Sequence, residues 1–167
     1  MRIKGVHLRV ITVLFLFVSC NSNGPDFRSL IGKEYQSLNE FGIMKGYAEQ
    51  VGIMLESLND KEYGLSYYKK GPIHVIAFER VIRQSNGTTK YFLLDILKIN
   101  YVGKEQYVKL GLNRLNGEND IAIISIYQYE NDVQFFTNIV KAWRANRETE
   151  KIEKIDTKGI DCTNEQH

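Results

Sequence analysis

Residues 73–84 (IHVIAFERVIRQ) are apolar at odd and even positions alike, and residues 88–100 (TTKYFLLDILKIN) repeat that pattern. A strand with one wet face alternates apolar with polar, whereas a run that is apolar on both faces belongs in the middle of a sheet. Ser85-Asn86-Gly87 between the two runs is a turn signal, so the segment predicts a central β-hairpin. Around it, residues 62–68 read as an aromatic-rich strand. Residues 106–114 form another strand, turned by Asn116-Gly117 into 121–129 (IAIISIYQY) as a second hairpin.

The flanks read differently. Leu30, Tyr35, Leu38 and Phe41 recur at spacings of three to five, which predicts a short helix over 33–41. Gly42, Gly46 and Gly52 interrupt anything longer, and residues 47–55 suit a strand. Asn131 is a good N-cap, and Val133, Phe136, Ile139, Val140 and Trp143 follow a 3.6-residue spacing, which predicts an amphipathic helix over 131–146. Residues 158–167 read as a polar tail. The expected fold is therefore α+β: an antiparallel sheet of five or six strands, with a helix near each end packed on one face.

The first twenty residues carry an address. Arg2, Lys4 and Arg9 precede an apolar stretch from Val10 to Val18, followed by Ser19 and Cys20. At about nine residues the stretch suits a signal-peptide core, whereas crossing a bilayer takes roughly 20. The segment resembles the bacterial lipoprotein signal, which ends in an obligatory cysteine, although Phe17 stands where leucine is commonest. That resemblance implies a signal peptide over 1–19, lipid on Cys20, a lipidated tether over 20–28 and one soluble domain over 29–167. The alternatives are an ordinary secretory signal cut near Ser19 or Asn21, with a Cys20–Cys162 disulfide then open to the chain, or an uncleaved membrane helix.

Removal of 1–19 leaves 19 basic against 20 acidic residues, a net charge of −1. No general attraction to nucleic acid follows from that balance. With Cys20 lipidated, Cys162 has no partner within the chain.

No motif names a reaction. The chain lacks G-x-S-x-G, H-E-x-x-H, an EF-hand loop, a phosphate-binding glycine loop and zinc-type cysteine pairs, so no catalytic residue, metal or cofactor is expected. His74 is the one histidine expected to have a fixed setting, because His167 is terminal. Asp95 shares an apolar stripe with Tyr91, Leu93, Leu97 and Ile99, where a carboxylate must pair, shift its pKa or line a cavity. Glu79 and Arg80 face opposite ways on the preceding strand, and an Arg80–Asp95 ion pair is one outcome. Asp95, Glu79, Arg80 and His74 are the candidate pocket. Ten tyrosines include Tyr63, Tyr67 and Tyr68 beside Lys69-Lys70, and Tyr127 and Tyr129 at a strand end. These five are the candidate interface, because tyrosine brings large contact area at low entropic cost.

From 131 to 165 the sequence also resembles the C-terminal pattern of a group of small, largely uncharacterised Bacteroidota lipoproteins. The matching residues are Ala142, Trp143, Arg144, Lys158, Gly159, Ile160, Asp161, Cys162, Asn164 and Glu165. The resemblance implies an outer-membrane lipoprotein. Asn21, Ser22 and Asn23 lack the acidic residues of surface export, which implies a periplasm-facing anchor. The expected function is a non-catalytic binding module with a protein partner, most concretely a toxin-neutralising (immunity) protein. The alternatives are an enzyme acting on envelope polymers or small molecules, and an accessory subunit of an outer-membrane complex.

Overall fold

A computed structural model describes residues 25–165. The expected signal over 1–19, Cys20 and His167 lie outside the described residues.

Three short 3-10 turns (Phe27–Leu30, Leu38–Glu40 and Gly42–Met44) accompany thirteen strands. The strands are β1 (Glu34–Tyr35), β2 (Ala48–Leu58), β3 (Lys61–Lys70), β4 (Ile73–Arg83), β5 (Thr89–Ile99), β6 (Gln106–Leu110), β7 (Asn113–Leu115), β8 (Glu118–Asn119), β9 (Ile123–Gln128), β10 (Phe135–Phe136), β11 (Ile139–Asn146), β12 (Lys151–Ile155) and β13 (Ile160–Thr163). They form three antiparallel sheets, ordered β1-β5-β4-β3-β2, β12-β11-β9-β6 and β10-β13-β7-β8.

The β4–β5 hairpin is where the sequence placed it, and it is central to the first sheet. Its two apolar faces have two destinations. Ile76, Phe78, Leu94 and Ile99 pack against Ile124 and Ile126 of the second sheet. Val75, Ala77 and Leu93 pack under the N-terminal segment, against Phe27, Leu30, Leu38 and Met44. The second sheet is covered twice as well. Ile123 and Ala142, on its far face, meet Phe136, Ile160 and Cys162 of the third sheet. This is why residues 121–129 are apolar at successive positions.

The expected α+β class is overturned, because neither predicted helix forms. Over 131–146 the chain makes β10 and β11, and the misreading has a local cause. A bulge between Ile139 and Lys141 displaces one residue, so Ile139 and Ala142, three apart, both meet the third sheet, while Ala145 is buried on the opposite face against the first. A bulge converts period two into an apparent period three, which imitates one face of a helix. Asp132, expected to favour a helix start, has φ 55° in a turn instead. Over 33–41 the apolar spacing reflects contacts of β1 and the 3-10 turns with the first sheet. Ser37 and Glu40 do form a capping box, but on a helix of only three residues, closed off by the next turn.

Two further expectations change. Asn116 (φ 53°) and Gly117 (φ 85°) make a tight turn, but it joins β7 to the two-residue β8. The 106–114 run is split into β6 and β7, and it is β6 that pairs with β9. Residues 160–163, expected in a polar tail, form β13, an inner strand of the third sheet.

Candidate functional site

The structure separates the four residues expected in one pocket. A bulge where Phe78 pairs with Asp95 and Glu79 with Leu93 explains the separation. It switches the stripe from one face to the other, so Tyr91 and Leu93 lie in the N-terminal layer while Leu97 and Ile99 meet the second sheet. Asp95 goes with the latter pair and makes no ion pair with Arg80. Its carboxylate accepts from the Ile152 amide of β12 at 2.8 Å and from the Ile96 amide at 2.9 Å. Asp95 thereby closes one seam of the sandwich, joining the β5 and β12 sides. Asp95→Ala is expected to cost about 1–2 kcal/mol and to speed hydrogen exchange at the Ile152 amide. An unchanged exchange rate there would rule out this latch.

Arg80 lies over the Phe92 ring, 4.9 Å from its centroid, and 3.9 Å from Glu150. Glu150 also accepts from Lys61 Nζ and from the Tyr63 hydroxyl, each at 3.2 Å. His74 is buried, stacked on Tyr67, with Nδ1 2.6 Å from the Tyr67 hydroxyl. Burial, with Lys69 adding to it, lowers the His74 pKa and favours the neutral imidazole. Glu79 faces the other way, into the N-terminal layer, where Tyr35 and Ser66 donate to it.

The five tyrosines of the expected interface also divide. Tyr63 and Tyr68 are core residues. Tyr67 is half-buried, and burial pushes its hydroxyl up to about 12. Tyr127 and Tyr129 belong to an aromatic cluster on the second sheet, together with Tyr107 and Phe136. Ring centroids lie 5.8 Å apart for Tyr107–Tyr127, 6.3 Å for Tyr107–Tyr129 and 4.4 Å for Tyr127–Phe136. Tyr107 is 51% and Tyr129 37% exposed, so the cluster presents aromatic surface to solvent. Tyr107 was not singled out in the sequence. Its signal is the alternation Tyr107, Val108, Lys109, Leu110, which turns Tyr107 and Lys109 away from the core side taken by Val108 and Leu110.

Tyr107 turns away from Val108 and Leu110, but its strand, β6, borders the open seam of the sandwich. The outer strands β2 and β6 end the first and second sheets on the same side, and neither pairs with a further strand among the described residues. Between them lies a groove of about 370 Å³. Val51, Ile53 and Tyr67 form one wall and Val108 and Leu110 the other. Gly111 sets the width at the end of β6. It has φ 77°, and a side chain there would meet Ile53 Cγ2 at 3.2 Å. The Lys109–Glu165 ion pair, 2.6 Å long, stands at the rim. Val51 is 37% exposed, a β-branched residue on a free edge. Unpaired edge amides flanked by an apolar wall are what a strand-like ligand needs, and natural edges are usually protected against it.

Among the described residues no three His, Cys, Asp or Glu side chains converge as metal ligands, and no helix is long and apolar enough to cross a membrane. Cys162 is free and buried, and burial pushes its thiol up to about 12, away from the reactive thiolate. No protein-family model, curated protein or solved structure matches the chain. The geometry of the open seam therefore carries the functional reading.

Proposed function

We propose that the protein is a lipid-anchored, non-catalytic binding module that receives an extended segment of a protein partner along the seam between β2 and β6. The observation that carries this reading is the groove itself, with two unpaired sheet edges, apolar walls and an exposed Tyr107 on the outer strand β6. Main-chain pairing along an edge would supply affinity, and side chains in the groove would supply selection. A module held through Cys20 at the periplasmic face of an outer membrane meets its partner at raised effective concentration. Neutralising a toxin that acts in that compartment is the most concrete form of such a role. Binding is favoured over envelope-polymer chemistry because His74, Glu79 and Asp95 are engaged separately, on two faces of the first sheet.

Full chain in detergent-solubilised envelope, carrying a photo-crosslinker at position 50, where exposed Gln50 lines the groove, is the test. One protein is expected to crosslink. Its capture is expected to fall about tenfold with Tyr107→Ala and with Val51→Lys, as for an interface anchor, and to persist with Lys154→Ala on the opposite edge. Capture indifferent to both Tyr107→Ala and Val51→Lys would overturn the assignment.

A further inference from the structure

A second cavity, of about 130 Å³, lies on the face of the first sheet that points away from the groove. Tyr35, Tyr68 and Tyr91 line it, with Ser66, Glu79 and Glu49. Glu79 is 2% exposed. Its Oε1 accepts from the Tyr35 hydroxyl at 2.7 Å and its Oε2 from Ser66 Oγ at 3.1 Å. Exposed Glu49 accepts from the Tyr68 hydroxyl at 3.3 Å.

This group of side chains is missing its counter-charge. Among the described residues every ion pair involves other carboxylates, and no Lys, Arg or His lies within ion-pair distance of Glu79. A buried carboxylate is costly unless it is protonated or paired. Two hydroxyl donors orient the Glu79 carboxylate, and each of its oxygens retains a second acceptor direction. Glu49 adds negative charge at the same cavity, and phenol rings complete the lining.

The ligand chemistry follows from what is present. A divalent metal wants six or more oxygens in its shell, and no cluster of three ligating acids exists among the described residues. A quaternary ammonium has no N–H for the free lone pairs. A guanidinium needs a flat slot for its five-donor fork. A primary ammonium is a compact charge with three rotatable donors, and it is attracted to aromatic rings.

We propose that this cavity binds a primary alkylammonium group, with Glu79 as the buried counter-charge and Glu49 as the carboxylate that draws it in. The site does not rest on the groove reading, since it lies on the opposite face of the same sheet. A lysine side chain of a protein and a free small amine share this chemistry.

Isothermal titration of the full chain in detergent, at about pH 8, where a carboxyl of ordinary or moderately raised pKa is ionised, separates the cases. Propylammonium is expected to bind saturably, and tetramethylammonium at least about tenfold more weakly, for want of charge-assisted hydrogen bonds. Glu79→Gln is expected to weaken propylammonium at least about tenfold, and Glu49→Gln by a smaller factor, in accord with its exposure. Glu49→Gln sits on the surface and leaves the fold intact, so the test survives if Glu79→Gln misfolds. Binding is also expected to weaken toward about pH 5 as Glu79 takes up a proton. The other titratable groups facing the cavity are Tyr35, Tyr68, Tyr91 and Glu49. Nα-acetyl-lysine amide identifies the source: binding at least as tight as propylammonium supports a protein lysine, and weaker binding a free amine. Propylammonium no tighter than tetramethylammonium, or unaffected by both Gln substitutions, would overturn the proposal.

Discussion

Asn113→Ala is expected to destabilise the domain by about 3–4 kcal/mol, because the alanine leaves several buried polar groups without a partner. Asn113 is fully buried at the start of β7. Its Nδ2 donates to the Ile123 carbonyl at 2.7 Å and to the Lys109 carbonyl at 3.2 Å, and its Oδ1 accepts from Ser125 Oγ at 2.5 Å. One amide therefore ties β6, β7 and β9 together at the junction of the second and third sheets. Urea denaturation measures the loss, which corresponds to a fall in Tm of about 10 °C. The double variant Asn113→Ala/Ser125→Ala is expected to recover part of it, because the stranded hydroxyl is removed as well. A loss below about 1 kcal/mol would mean that water or a rearranged backbone satisfies these groups.

Glu79→Gln is expected to abolish much of the pH dependence of stability. Burial raises the Glu79 carboxyl to about 7, against the hydrogen bonds from Tyr35 and Ser66, which lower it. In an unfolded chain the same group titrates near ~4.3. The fold thus favours the protonated form. The stability this gives is complete below about pH 4.3 and is lost as pH rises through about 7. The amount is on the order of 3 kcal/mol, undiminished by solvent because the group is buried. Glutamine cannot ionise, so the variant gains on the natural chain by that amount between about pH 4.5 and about pH 8. Urea unfolding of both chains at the two pH values checks it. Parallel pH profiles would show that Glu79 ionises in the folded protein as it does in the unfolded chain.

Strands with strong β propensity were legible in the sequence. The β4–β5 hairpin, β2 and β3 all lie where their patterns put them. What misled was irregular strand geometry. The bulge in β11 produced a helical spacing, and the bulge opposite Phe78 moved Asp95 to the other face. A sheet covered on both sides, such as β9 within the second sheet, carries no alternation to show which neighbour it meets. For this reason three sheets read as one. In the candidate sites, Glu79 was visible as an acid in an apolar run. The seam between β2 and β6 was not, because it joins residues far apart in the chain and depends on which strands end the sheets.

The place of β13 bears on how the chain completes itself. Its partners are β7, about 45 residues earlier, and β10, and it brings Ile160 and Cys162 against Ile123 and Ala142. All strands of the first sheet lie before residue 100, so it can close while the chain is still emerging. The outer face of the second sheet stays bare until residue 163 is free to pair. During biosynthesis that interval exposes an apolar surface to chaperones and proteases, and it lasts until β13 has arrived. Removal of β13 would make that temporary state permanent.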